Sequence, residues 1–229
     1  MKARSLVLSL MVGLFAPMAM PAPSAVAQSK KTATKAPDAS QIADRVQAFY
    51  NHSHTFQAGF KQRYKVRAYN KVKNSAGRVV FKKPGKMSWR YTSNGNRVVS
   101  DGKTIKIYEK DNKQMYLQAM GKSQYPAALA FLVGGGNLKK AFKLKKLDAR
   151  ALHFEGGYVL LAVPKKPTPA YQKLVLYVDG QTAQVRRVIL LDAQGNTNRF
   201  TFEHPVINKK VKPGEFNFTP PSGTQVIKP

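Results

Sequence analysis

The sequence of 229 residues contains no cysteine. This absence excludes disulfides, zinc sites with cysteine ligands, thiol catalysis and thiol-based redox roles. It also excludes a lipid-modified N-terminal cysteine, so we expect a protein that is released after export and not tethered. An exported chain without disulfides must be stabilised by its hydrophobic core, and the hydrophobic content of 43% supports such a core.

Acidic residues are scarce. The chain has 11 Asp and Glu against 39 Lys and Arg, which gives a formal net charge of +28. This excess predicts attraction to anionic surfaces, among them lipid headgroups, lipopolysaccharide, acidic proteins and nucleic acid. Charge alone does not choose among these partners, and a general role in solubility explains it equally well. Several of the few carboxylates stand in predicted turns, where Asp is common: Asp101, Asp111, Asp179 and Asp192.

Catalytic and metal-binding patterns are also missing. No pair of carboxylates is marked out for acid–base work, and no nucleophile elbow occurs. His52 and His54 stand where a helix is predicted to end, a position that suits an imidazolium. No third ligand has a recognisable metal-site spacing. The run Gly134–Gly136 follows a predicted helix and does not join a strand to a helix. We therefore expect no enzyme, no catalytic residue and no metal.

Long apolar runs are absent beyond the N-terminus. There, Lys2 and Arg4 precede a run from Leu6 to Met20, which is followed by the cleavage pattern Ala25-Val26-Ala27. This predicts a secretory signal peptide over residues 1–27, whose removal leaves a charge of +26. We expect a flexible basic leader over 28–38, a single domain over 39–229 and a location in the bacterial periplasm.

The first predicted element is a helix over residues 38–53. Ile42, Val46 and Phe49 recur at helical spacing on one face, and Asp38 or Ser40 can cap its start. A helix this short is not stable alone. Its apolar face therefore needs another surface to cover.

After this helix the hydrophobic period changes to two. In residues 55–69, Phe60 and Tyr64 share one face while Lys61 and Arg63 occupy the other, so that charges and aromatic rings are separated. That separation argues against nucleic-acid stacking, which needs both on one exposed face. Further strands are predicted at 75–83, 86–93, 96–100, 103–109, 113–120, 151–156, 157–164, 172–179, 183–192 and 197–203, with an extended tail in which Phe216 and Phe218 share a face.

The sum is about ten strands joined by short connections, which require antiparallel neighbours. A sheet this long must curl. We therefore predict a mainly β fold, an antiparallel incomplete (half-open) β-barrel with one concave face. A second helix over 126–133, crowded with apolar residues, and a helical turn over 137–142 interrupt the strands. The short helices are expected to form a lid over an apolar cavity that can take lipid chains.

Four segments resemble the periplasmic outer-membrane lipoprotein carrier family, LolA, in their order and spacing: GRVVFKKPGKMSWRY, VVSDGKTIKIYEKDNKQ, YPAALAFLVGGGNLKKAF and FNFTPPSGTQVI. The resemblance implies a half-barrel carrier, without a cofactor, that accepts acylated lipoproteins from an inner-membrane ABC transporter. It then delivers them to the outer membrane; whether this protein has an outer-membrane receptor is left open. We expect a monomer.

The resemblance also implies roles for individual residues. The family has an arginine latch that bonds lid carbonyls, just before the proline of this motif, and Lys83 holds that position here. Lysine carries a compact charge where arginine has a planar guanidinium. The resemblance therefore implies a latch with a different hydrogen-bonding arrangement. Ile42, Val46 and Phe49 would belong to the lid helix. The lipid cavity would be lined by Phe60, Phe81, Met87, Trp89, Tyr91, Ile105, Ile107, Leu129, Phe131 and Leu132.

Two alternatives remain open from the sequence. The first is a related half-barrel that transports or senses another lipid or glycolipid. The second is a polyanion-binding exported protein whose apolar face is an ordinary closed core. Substitutions on the face that carries Trp89, the only tryptophan, would distinguish a lipid cavity from a closed core, because a cavity wall and a core respond differently to substitution.

Overall fold

The period-two pattern builds one twelve-stranded sheet among the described residues. The computed structural model describes residues 36–120 and 136–228. The strands are β1 (Thr55–Val66), β2 (Lys71–Lys82), β3 (Lys86–Tyr91), β4 (Arg97–Asp101), β5 (Thr104–Glu109), β6 (Gln114–Ala119), β7 (Phe142–Leu147), β8 (Gly157–Pro164), β9 (Lys173–Asp179), β10 (Val185–Leu191), β11 (Thr197–Ile207) and β12 (Gln225–Ile227). The helices of the described residues are α1 (Ala39–His52) and α2 (Leu138–Ala141).

The strand order is β12-β6-β5-β4-β3-β2-β1-β11-β10-β9-β8-β7. Strand β1 pairs with β2 on one side and with β11 on the other, and so joins the two halves of the chain. The edge strands β7 and β12 lie at opposite ends of this order. The sheet is therefore open and mostly antiparallel, which confirms the predicted fold class. One pairing was not predicted: β12 runs parallel to β6.

The inner face of the sheet carries the main hydrophobic core. Alternate residues of each strand point to one face, and those of β1–β5 and β7–β11 that point inward are mostly aromatic or branched aliphatic. Burial of this apolar area is the chief stabilising contribution, at about 25 cal/mol per Å².

Helix α1 packs on this inner face. Its start is fixed by a capping box, in which the Asp38 carboxylate accepts from the backbone N–H of Gln41 at 2.8 Å and the Gln41 side chain accepts from the N–H of Asp38 at 2.9 Å. Ile42, Val46 and Tyr50 are buried, together with Ala43. The predicted helix and its cap at Asp38 are thus confirmed, but Phe49 is only half-buried and Tyr50 takes the deeper position.

The outer face of β3–β6 is covered by the chain beyond β11. Glu215 accepts from both Nε and Nη2 of Arg90, at 3.1 and 3.0 Å. The Phe218 ring packs against Tyr108, with centroids 5.4 Å apart, and beneath the Arg97 guanidinium at 4.9 Å. This contact makes a smaller, second apolar layer, because Tyr108 is buried on the side of the sheet opposite α1.

Two local predictions were wrong. Residues 149–153 form turns, and the strand expected at 151–156 is absent; the strand lies instead at Phe142–Leu147. The lysines of this edge strand mask its alternation, while the Asp148 carboxylate accepts from the N–H of Arg150 and holds the following turn. Phe216 also stands in a turn, so it does not continue an extended segment with Phe218.

The predicted helix over 126–133 lies outside the described residues, as do the signal peptide and most of the leader. The domain boundaries therefore remain predictions. Within the described part of the chain, no helix combines the length and apolarity that a bilayer-spanning helix requires.

Candidate functional site

The candidate site is the inner face of β1–β5, whose buried side chains share one hydrophobic core with the buried side of α1. Strand pairing aligns its side chains in rows: Phe81 lies opposite Met87, and Val79 lies opposite Trp89. In the next strands Val98 lies between Trp89 and Ile107. The two-residue spacing of Met87, Trp89 and Tyr91 therefore places them on one face, as the sequence predicted.

Burial differs along this face. Trp89 and Met87 are 1% and 2% exposed, and Phe60, Phe81 and Ile105 are equally buried. Tyr91 and Ile107 are partly buried at the border of the same cluster. Seven of the ten residues predicted to line a cavity are thus brought together. The other three, Leu129, Phe131 and Leu132, lie outside the described residues.

Aromatic rings dominate the centre of the face. The Trp89 ring lies 4.9 Å from Phe60, 5.6 Å from Phe81 and 5.2 Å from Phe200, between ring centroids. Edge-to-face contacts of this kind add about 0.5–1.5 kcal/mol each beyond area burial. Sequence reasoning did not assign three members of this cluster to the site, although each stands at an inward position of β1 or β11: Phe56, Phe200 and Phe202.

Gly77 makes room for this cluster. It lies opposite Phe60 on β1 and Tyr91 on β3. A Cβ atom at this position would overlap the carbonyl oxygen of Arg90 and lie 2.9 Å from Cε1 of Phe60. The close packing of the Phe60 and Tyr91 rings, with centroids 5.0 Å apart, therefore depends on glycine here.

The C-terminal end of α1 is attached to the chain that follows β2. The Lys83 ammonium donates hydrogen bonds to the carbonyl oxygens of Tyr50 and Asn51, the latter at 3.2 Å. These carbonyls belong to the last turn, where the helix dipole favours a cation. Desolvation lowers the pKa of Lys83 from its ordinary value. The resemblance pointed to Lys83 from its position before Pro84. The structure shows which two carbonyl oxygens accept from it.

Other polar contacts anchor α1 along its length. Arg45 donates to the carbonyl oxygen of Gly180 at 2.8 Å, and Tyr50 accepts at its hydroxyl from the N–H of Val185 at 3.2 Å. Burial raises the pKa of the Tyr50 phenol. An exposed ion pair joins Lys139 of α2 to Asp44 at 2.7 Å. The helix is thus attached to β9–β10, to α2 and to Lys83.

The chemistry of this face is apolar. Among the described residues, the buried polar side chains are neutral: Ser53, Gln57, Ser88, Ser100 and Gln184. The described part of the chain also has no group of three or more His, Asp or Glu that could hold a metal ion. His52 contributes to the end of α1, with Nδ1 lying 2.8 Å from the carbonyl oxygen of Ala48. Such a face is suited to binding apolar groups.

Fold and site together define a mostly β protein with one helix-covered, aromatic face. Residues 51–219 match the family model described as outer membrane lipoprotein carrier protein LolA. The outer-membrane lipoprotein carrier protein of Cupriavidus necator is 30% identical over 210 residues, covering 90% of this chain and 96% of that protein. The corresponding protein of Bordetella avium is 32% identical over 154 residues, covering 67% and 71%. The chain therefore belongs to the outer-membrane lipoprotein carrier family, a family of transport proteins.

A solved structure shows the same fold. It is that of an uncharacterized conserved protein from Thermus thermophilus, which is 15% identical, with a TM-score of 0.51, and covers 83% of this chain and 98% of its own. At that identity the likeness concerns the fold alone. The resemblance noted in four short segments is thus confirmed at the level of the family by the match over most of the chain.

Proposed function

We propose that this protein carries lipoproteins through the periplasm by binding their acyl chains between the inner face and α1. The proposal rests on family membership and on one structural observation. Helix α1 packs on a mostly apolar, aromatic core, and two carbonyl oxygens of its last turn accept hydrogen bonds from Lys83. A face of this kind binds other molecules mainly through apolar contact. The covering helix is easier to displace than a strand of the sheet.

The attachments of α1 suit a movable cover. The Lys139–Asp44 pair is exposed on both partners, and exposed pairs contribute about 0–1 kcal/mol. The 14 residues of α1 are too few for a stable isolated helix. Its apolar side, with Ile42, Val46 and Tyr50, therefore needs a partner: the sheet when no cargo is present, acyl chains when they have entered.

Energetics require this kind of exchange. Each buried methylene contributes about 0.8 kcal/mol, so three long acyl chains represent on the order of tens of kcal/mol against water. A carrier that took such cargo from free solution could not release it. If acyl chains replace the apolar side of α1, with Ile42 and Val46, in this core, one apolar contact replaces another and the transfer is nearly balanced.

In this proposal Lys83 is the latch of the closed state, and the cavity is lined by the inner-face residues. Leu129, Phe131 and Leu132 are proposed as a second part of the lid. Cargo comes from an inner-membrane ABC transporter and goes to the outer membrane. The cleaved signal peptide over residues 1–27 would direct the protein to the periplasm. No cofactor is required, because the transfer involves no covalent step.

Identification of the bound material tests the proposal. The exported protein is purified without detergent, denatured, and extracted with organic solvent, and the extract and the polypeptides are analysed by mass spectrometry. We expect substoichiometric acylated polypeptides, enriched when a lipoprotein is co-expressed. A free lipid or glycolipid in their place would identify the related half-barrel with another cargo. Empty protein that also fails to bind a synthetic triacylated peptide would overturn lipid carriage.

A further inference from the structure

The outer face of the sheet, opposite α1, is covered by the chain itself in two places. Over β3–β6 the ring of Phe218 packs on Tyr108. Over the ends of β8–β10 that lie near the 148–156 connection, Phe154 packs edge-to-face on Tyr177 at 5.2 Å, and the Arg187 guanidinium lies 4.7 Å from the same ring. Both apolar residues beneath these covers, Tyr108 and Tyr177, are buried.

A third part of the outer face is apolar and half-exposed. On it, Leu161 lies opposite Val175, and Val175 lies opposite Ile189. These residues alternate with core residues of the same strands and therefore point away from α1. We name this surface the outer patch; its members, all half-buried, are Leu161, Val163, Val175, Ile189 and Leu191.

Cations border the outer patch on both sides. Lys143 and Lys145 of β7 lie opposite Val163 and Leu161, and Arg199 of β11 lies opposite Ile189. We name these cations and their neighbours the cationic rim: Arg63, Lys65, Lys143, Lys145, Lys173 and Arg199. None of the ion pairs among the described residues involves a member of this rim.

Two members of the rim directly oppose each other. Arg63 of β1 and Arg199 of β11 are registered partners, and both are exposed on the same face. Like charges in this relationship destabilise a sheet. An anion placed over them would relieve the repulsion. Edge protection explains the lysines of β7, since edge strands often carry them, but Arg63 and Arg199 lie on central strands where no edge needs protection.

We propose that the outer patch and its cationic rim form a docking surface for an anionic lipid bilayer. The rim would meet headgroup phosphates, while the apolar centre would enter the headgroup region. The β1–β2 turn adds a side chain suited to that depth, because Tyr69 is 83% exposed and follows Arg67. The net charge, which is +26 without the predicted signal peptide, supplies the long-range attraction. This inference does not rest on acyl-chain binding, since the patch lies on the face opposite α1.

Vesicle binding tests the electrostatic part. The purified exported protein is sedimented with vesicles of phosphatidylglycerol and phosphatidylcholine, and with vesicles of phosphatidylcholine alone. We expect binding only to the first, weakening as salt rises. The triple variant K145Q/K173Q/R199Q should bind about a hundredfold more weakly, since each cation near an anionic surface contributes about fivefold.

A matched control removes the same charge elsewhere. Lys82, Lys103 and Lys110 are exposed and lie on or beside strands far from the outer patch. The variant K82Q/K103Q/K110Q should retain at least tenfold tighter vesicle binding than the rim variant. Equal losses in the two variants would overturn the proposal, because they would indicate attraction by total charge. Circular dichroism of both variants shows whether each is folded.

A reporter at the centre of the patch tests insertion. Ile189→Trp places an indole on the outer patch, whereas the native Trp89 is buried in the core. Brominated lipids should quench the new fluorescence in bound protein. The same indole placed in the β5–β6 turn, by Asn112→Trp, should not be quenched. Quenching of neither indole despite sedimentation, or binding to heparin as tight as to vesicles, would show a solvated polyanion surface and overturn bilayer docking.

Discussion

The Nζ of Lys83 lies 3.2 Å from the backbone carbonyl oxygen of Asn51, in the last turn of α1. Lys83 belongs to the connection between β2 and β3, so this contact ties the covering helix to the strands that carry Phe81 and Met87. An arginine would present a planar fork at this place, whereas an ammonium presents a compact charge with three donors. It still reaches both Tyr50 and Asn51.

The first prediction concerns this contact. Lys83→Leu should leave the fold intact and lower lipoprotein transfer to acceptor membranes about tenfold, since hydrogen bonds to charged groups contribute about 1.5–3 kcal/mol. Without the latch, the closed empty state that follows release is less stable, and cargo is retained. The adjacent, exposed Lys82 provides the control, because Lys82→Leu should transfer normally. Lys83→Arg should preserve transfer. Wild-type transfer by Lys83→Leu would place the latch elsewhere.

The second prediction concerns the mobility of α1. Amide hydrogen exchange should be faster in α1 than in β1, because a cover that opens exchanges through a local transition of lower free energy than global unfolding. A triacylated peptide should change exchange in α1, in residues 126–133, and at Val185 of β10, whose N–H donates to the Tyr50 hydroxyl of α1. If α1 were as protected as β1 and unaffected by the peptide, it would be a fixed part of the core.

The third prediction separates cavity from core at Met87. Met87→Glu places a carboxylate in the core that includes the buried side of α1, and burial of that charge costs several kcal/mol unless water reaches it. If α1 can lift, the variant should keep its sheet, lose protection in α1 and lose binding of the triacylated peptide.

Thermal melting and peptide binding, measured on the same Met87→Glu protein, provide the comparison. Ser93→Glu, in the exposed turn that follows the same strand, controls for the added charge. A Met87→Glu protein that melts far below both wild type and this control would make the face an ordinary core, and the lipid-site assignment would be wrong.

The fourth prediction concerns Gly77. Gly77→Ala should lower the free energy of unfolding by about 2 kcal/mol or more, because the added methyl meets the carbonyl oxygen of Arg90 and the Phe60 ring in a closely packed cluster. Gly59 is the matched control on the neighbouring strand, since a Cβ there would meet nothing closer than 3.7 Å. Gly59→Ala should change stability by less than about 1 kcal/mol. Urea denaturation of the two variants measures the difference.

Local patterns in the sequence determined much of the fold and of the site. Alternation placed Met87, Trp89 and Tyr91 on one face, because successive side chains of a strand point to opposite sides whatever the strand pairs with. Asp38 capped α1 through Gln41, a contact between residues three positions apart. These features depend on neighbouring residues, which a single sequence displays directly.

Tertiary structure decided which elements meet. Nothing local specifies that Phe60 of β1 lies opposite Phe202 of β11, or that β12 lies parallel to β6. Helical spacing predicted Phe49 for the buried face, but contact with β10 buries Tyr50, whose hydroxyl accepts from Val185. Whether a strand face stays exposed, as the outer patch does, likewise depends on where distant segments pack. Pairing and covering are chosen by the summed burial and hydrogen bonding of residues far apart in sequence, which no local pattern encodes.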